Sequence, residues 1–174
     1  MKTAIVTITD ALANAAADLF AAQSQASIQA YGRFAVALAG GSTPRQLYAR
    51  LAQSDLASRV DWEAVHLFWG DERCVPPDHP DSNYRMARES LRVPVPEQNI
   101  HRIYGEIAPE AAAEKYENEL RSFFGDVPRF DLILLGMGAD GHTASLFPDL
   151  DFAAPEPDIV AAPFVKSLNS RRLT

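Results

Sequence analysis

Short apolar runs alternate along this chain with stretches in which apolar residues recur every three or four positions. The first pattern suits buried strands and the second amphipathic helices. Residues 4–8 form a short β-like run, and Thr9 or Asp10 then stands where a cap is wanted for a helix with Leu12, Ala15, Ala16, Leu19 and Phe20 on one stripe. Residues 34–39 make a second apolar strand, followed at once by GGSTP. Pro44 suits a first helical position, Ser42 or Thr43 can cap, and Leu47 and Leu51 supply the buried stripe of the helix that follows. Residues 65–69 are a third strand, left through Gly70, Asp71, Glu72 and Arg73. Pro76, Pro77 and Pro80 stiffen the next loop, and Asp81 or Ser82 caps a helix through Asn83, Tyr84, Met86 and Leu91. Residues 99–103 are a weaker strand candidate, and Pro109 opens a helix over 110–124 that Gly125 ends. Residues 132–135, preceded by Asp131, read as a strand buried on both faces.

After Pro148, Pro155, Pro157 and Pro163 leave little room for regular structure, and Arg171, Arg172, Leu173 and Thr174 look like the start of a strand. The repeating strand, loop and helix predicts an α/β fold: a Rossmann-like layered arrangement around a mainly parallel sheet, in one domain over residues 1–174.

Three strand exits concentrate the chemistry. In residues 131–148, DLILLGMGADGHTASLFP, three glycines let main-chain amides approach a ligand, and Asp140, His142, Thr143 and Ser145 crowd the same loop. A glycine turn with a solvated histidine is the plain alternative. The density of polar groups beyond the carboxyl end of a strand favours a site, because open α/β sheets bind ligands there and imidazole carries protons near neutral pH. GGSTP reads either as a capped turn or as an anion site on helical amides, and it lacks both the spaced glycines and the lysine of a nucleotide P-loop. GDER is either a solvated charge cluster or the edge of a site.

Composition narrows this picture. A net charge of −7 argues against nonspecific nucleic-acid binding, and no apolar run is long enough for a bilayer. The first twenty residues are broken by Thr7, Thr9 and Asp10 where a signal peptide would be continuous, so a cytoplasmic protein is expected. The single cysteine, Cys74, excludes an internal disulfide and reads as an inert thiol. His66, His79 and His101 lack metal-ligand spacing and read as surface or strand residues, so neither metal nor cofactor is expected.

GGSTP, GDER and GMGADGHTASLFP, in that order and each after an apolar strand, resemble the 6-phosphogluconolactonases, which are grouped with the glucosamine-6-phosphate deaminases. Arg73, where the deaminases would have tyrosine, favours the lactonase branch. The resemblance implies hydrolysis of 6-phospho-D-glucono-1,5-lactone, in the oxidative branch of the pentose phosphate pathway, with a phosphosugar lactone as partner. It implies that Gly40, Gly41, Ser42 and Thr43 hold the sugar phosphate, that Gly138, Asp140 and Gly141 contribute to binding, and that Arg172 helps bind phosphate. Asp71 and Arg73 would line the reacting end, with His142 as the acid–base. Members of that family continue past the position of Thr174, so the fold is expected to lack its C-terminal strands and helices. A deaminase-type ring opening and a non-catalytic phosphosugar-binding module are the alternatives.

Overall fold

The computed structural model describes residues 12–150 and 159–174. The strand expected over residues 4–8, its Thr9 or Asp10 cap, and Pro155 and Pro157 lie outside the described residues. The elements run α1 (Leu12–Tyr31), β1 (Phe34–Leu38), α2 (Ser42–Leu51), the single turn α3 (Ser54–Ala57), β2 (Val65–Trp69), β3 (Glu72–Arg73), α4 (Asn83–Leu91), α5 (Pro109–Phe124), β4 (Leu132–Ile133), β5 (Phe164–Val165) and β6 (Ser170–Leu173).

β1 lies between β2 and β4, all parallel, and all five of its residues are buried. The register aligns Phe34, Val36 and Leu38 with Val65, Leu67 and Trp69, so those six side chains share one face. α1 and α4 cover that face, with Phe20 of α1 edge-on to Phe34 and Tyr84 of α4 against Trp69. The opposite face pairs the small Ala35 and Ala37 with the larger His66 and Phe68. There Phe68 meets Phe123 and Phe124 of α5. Helices on both faces of a parallel sheet make this the Rossmann-like α/β fold that the pattern predicts. Ser82 does cap α4, its hydroxyl accepting from the Arg85 amide, and Pro109 opens α5 with Gly125 at its carboxyl end.

Four expectations are corrected. α1 buries Ala17, Phe20, Ala21, Ser24 and Ser27, leaving Leu12 and Leu19 exposed, because the sheet is met by a stripe displaced from the expected one. Residues 132–135 are not buried on both faces: among the described residues β4 is an outer strand, its register with β1 runs through Leu132 and Ile133, and Ile133 and Leu135 are exposed. Residues 99–103 form one bridge, from Ile100 to Leu67, rather than a strand. Finally, the segment after residue 159 is more regular than its prolines suggest. β6 is the middle strand of a small antiparallel sheet between β3 and β5, and Leu173 is fully buried.

Two buried tyrosines fix the strand ends that carry the polar loops. The Tyr48 hydroxyl donates to the Ala39 carbonyl (2.8 Å) and accepts from the Ala39 amide (3.0 Å), just beyond β1. Tyr116 does the same for Trp69 at the end of β2, at 2.9 and 3.0 Å. Burial raises both phenol pKa values well above the ordinary range, so both hydroxyls keep the proton that they donate.

Candidate active site

Beyond the carboxyl ends of β1, β2 and β4 the three loops meet around a cavity of about 280 Å³. Gly40, Gly41, Ser42 and Thr43 form one wall, Asp71 and Arg73 another, and Gly138 and His142 a third. Asp140, Gly141 and Arg172 stand beside the cavity rather than on its wall. Arg172 is the register partner of Arg73 between β6 and β3, and burial together with the Arg73 charge lowers its guanidinium pKa. Two cations side by side make this edge of the site receptive to an anion.

The turn after β1 differs from the expected cap. Gly41, at φ 101, is the N-cap of α2, Ser42 and Thr43 begin the helix, and no side-chain capping bond forms. Both hydroxyls are exposed, and the first amides of α2 have no helical partner, so the wall carries donors of both kinds.

In the β2 loop, Asp71 and Glu72 are both buried. The Glu72 carboxylate accepts from the amides of Arg73, Asn83 and Tyr84, each at 2.8 Å, and from the Ser82 hydroxyl at 3.0 Å. Burial raises its pKa and those donors oppose the rise. Glu72 thus ties the loop to the amino end of α4, where the helix dipole favours a negative charge. The Arg73 guanidinium donates to the Asp81 carbonyl, which aims it across the loop.

The β4 loop holds its histidine through close contact. A Cβ at Gly138 would lie 2.2 Å from His142 Cε1, so a side chain there would displace the ring. The ring stacks on Phe147 with centroids 4.2 Å apart, and Nδ1 lies 2.5 Å from Asp140 Oδ1. Hydrogen bonding to His142 holds the Asp140 carboxyl below its usual pKa. An ionised carboxylate only accepts, so Nδ1 carries the shared hydrogen, and in a neutral ring Nε2 keeps its lone pair. Within the loop the Gly138 and Gly141 amides donate to His142 O (2.8 Å) and Gly138 O (3.0 Å), whereas Gly136 and Met137 on the cavity wall donate to none of the described main-chain carbonyls.

The sequence profile of the glucosamine-6-phosphate isomerases/6-phosphogluconolactonase family matches residues 8–174. The chain belongs to that family. A 6-phosphogluconolactonase of Nostoc sp. is 48% identical over 138 residues, which are 75% of this chain and 56% of that protein. One of Synechocystis sp. is 55% identical over 124 residues, covering 67% and 50%. The chain spans about half the length of the curated relatives it matches. A crystal structure of 6-phosphogluconolactonase from Thermotoga maritima superposes with a TM-score of 0.86 at 33% identity, over 99% of this chain and 77% of that one. The three motifs on which the family resemblance rests are the three walls of the cavity. Asn83 and Met137 also line it and were not singled out as site residues from sequence. Asn83 sits in the first turn of a capped helix, a position that reads as structural, and Met137 is one apolar residue among glycines.

Proposed function

We propose that this cavity hydrolyses 6-phospho-D-glucono-1,5-lactone to 6-phospho-D-gluconate. The observation that carries the reading is His142, with Nδ1 held by Asp140 and Nε2 unengaged among the described residues, in one cavity with Asp71, Arg73 and the amino end of α2. The relatives' names supply the substrate class.

His142 Nε2 takes a proton from water as its oxygen attacks the lactone carbonyl carbon, a step in which a placed base contributes roughly 100-fold to 10,000-fold. The carbonyl oxygen becomes an oxyanion. Arg73 and the amides of Gly136 and Met137 supply donors for it, each such donor being worth roughly 100-fold or more in a water-poor site. The tetrahedral intermediate collapses by breaking the bond from that carbon to the ring oxygen, which takes the proton back from His142. Asp71 orients the reacting end. The sugar phosphate sits on Gly40, Gly41, Ser42 and Thr43, with Arg172 adding charge beside Arg73. The step consumes only water, and the reading carries with it a cytoplasmic setting and a single domain.

The test is turnover by the chain of three compounds: the phosphorylated lactone, its unphosphorylated counterpart and glucosamine 6-phosphate. Hydrolysis above the spontaneous rate is expected for the first, with a much higher KM for the second and no turnover of the third. Deamination of glucosamine 6-phosphate without lactone hydrolysis would assign the other branch of the family. Binding of 6-phosphogluconate with no turnover would leave a binding module.

A further inference from the structure

Asp71 is a carboxylate removed almost wholly from water, at 8% exposure, and forms no ion pair among the described residues. A buried charge is tolerated only when its oxygens are hydrogen-bonded. Here neutral donors from two directions supply the bonds: Asn83 Nδ2 on Oδ1 (3.1 Å) and the Ser145 hydroxyl on Oδ2 (2.8 Å). Asn83 Nδ2 also reaches the main-chain oxygen of Asp71 (3.0 Å), so a single amide fixes the carboxylate relative to its own backbone. Asn83 is itself immobilised: it is 2% exposed, and its backbone amide donates to Glu72.

The other side of the same amide lies against the anion turn. A Cβ on Gly40 would fall 2.0 Å from Asn83 Oδ1 and 2.8 Å from Nδ2. Gly40 has no positive φ, so what demands glycine there is the Asn83 side chain and not the backbone angle. The amide is therefore a wedge between the two halves of the cavity.

We infer that Asn83 is a positioning residue that aims the Asp71 carboxylate and sets its distance from the Gly40–Thr43 turn. The inference rests on the reading of the cavity as a lactone-hydrolysing site and deepens it. Binding of the phosphate and alignment of the reacting end are then coupled through one side chain. A filler at the start of a helix would need neither the two bonds to Asp71 nor the contact with Gly40.

Two arms test it. The first needs no turnover: melting temperatures of Gly40→Ala, Asn83→Ala and the double variant. Gly40→Ala should cost several degrees where Asn83 is present and almost nothing in the Asn83→Ala background, where the added methyl occupies the vacated space. Equal losses in both backgrounds would overturn the wedge. The second arm uses Asn83→Asp, which keeps the shape and exchanges the donor for a second carboxylate. kcat should fall roughly 30-fold or more at about pH 8 while KM stays within about threefold. The deficit relative to the unsubstituted chain should shrink towards about pH 6, as the facing carboxylates share a proton and a donor returns. Among the described residues, Glu72, Arg73 and Arg172 are charged groups near Asp71, Tyr48 is a titratable neighbour, and His142 shares the cavity, which is why the deficit is read against the unsubstituted chain at each pH. An unchanged kcat, or a loss confined to KM, would overturn the positioning role. Absence of hydrolysis by the unsubstituted chain would remove the lactonase reading, and the melting cycle would still decide the wedge.

Discussion

Two histidine–carboxylate pairs sit at different places in this fold with nearly the same local geometry. In the β4 loop, His142 Nδ1 is 2.5 Å from Asp140 and the ring stacks on Phe147 at 4.2 Å. On the α5 face of the sheet, His101 Nδ1 is 2.6 Å from Glu119 and the ring stacks on Phe68 at 4.2 Å. What differs is the second nitrogen. His101 Nε2 faces His66 Nδ1 at 3.1 Å, under Phe123, with the His101 side chain only 10% exposed. His142 is 31% exposed and opens on the cavity. A carboxylate on one nitrogen orients an imidazole in either place, but only a ring whose other nitrogen is unengaged and within reach of a ligand can move a proton for it.

Matched substitutions should separate the two histidines by the widest margin. His142→Asn should lower the lactonase kcat by roughly 100-fold or more, about 2.7 kcal/mol, and leave the melting temperature nearly unchanged. His101→Asn should do the reverse, lowering the melting temperature by several degrees with activity per folded molecule retained. Parallel melting curves and initial rates decide it, and an equal loss of rate in both variants would erase the distinction.

The carboxylates should differ by less. Glu119→Ala leaves a half-buried pair of rings without its acceptor and should destabilise by about 1–3 kcal/mol. Asp140→Ala, at an exposed position, should leave denaturation midpoints unchanged and lower kcat roughly tenfold by freeing the His142 ring. Urea midpoints alongside rates would show whether each carboxylate serves stability or chemistry.

The smallest expected effect is one of pH. Burial first, then the neighbouring His101 and Arg33, lowers the His66 pKa to about 4. Between the ordinary histidine value and about 4 the unfolded chain takes up a proton that the native His66 refuses, so stability is full above that window and is lost as pH falls through it. His66→Phe removes this contribution. The melting temperature of the unsubstituted chain should therefore fall by a few degrees relative to that of the variant from about pH 8 to about pH 5. A constant difference between the two would mean that His66 titrates normally in the fold.

Much of the site was legible because local patterns carry it. Apolar runs marked β1 and β2, and the polar residues directly after them, with His142 in its glycine loop, are the walls of the cavity. The order strand, loop, helix was enough to predict their convergence, since parallel strands place all their exits at one end. What was not legible depends on partners distant in sequence. His66 and His101 are 35 positions apart and carry no spacing signal. β6 reads Ser170, Arg171, Arg172, Leu173, a polar string that becomes a central strand only because β3 and β5 flank it. Asn83 reads as the start of a helix, and its contacts with Asp71 and Gly40 exist only after α4 has docked. The cap of α2 was misread for a local reason: Gly41 takes the cap position and leaves Ser42 and Thr43 in the helix, with their hydroxyls free.

Carbethoxylation of the histidines by diethyl pyrocarbonate, followed by peptide mapping and by residual lactonase rate, separates His142 from the other three histidines in one experiment. Activity should fall in step with modification of His142, 6-phosphogluconate should protect both, exposed His79 should react without consequence, and His66 and His101 should stay unmodified while the chain is folded. Full activity with His142 modified, or inactivation that follows His79 or the His66–His101 pair instead, would contradict His142 as the proton carrier.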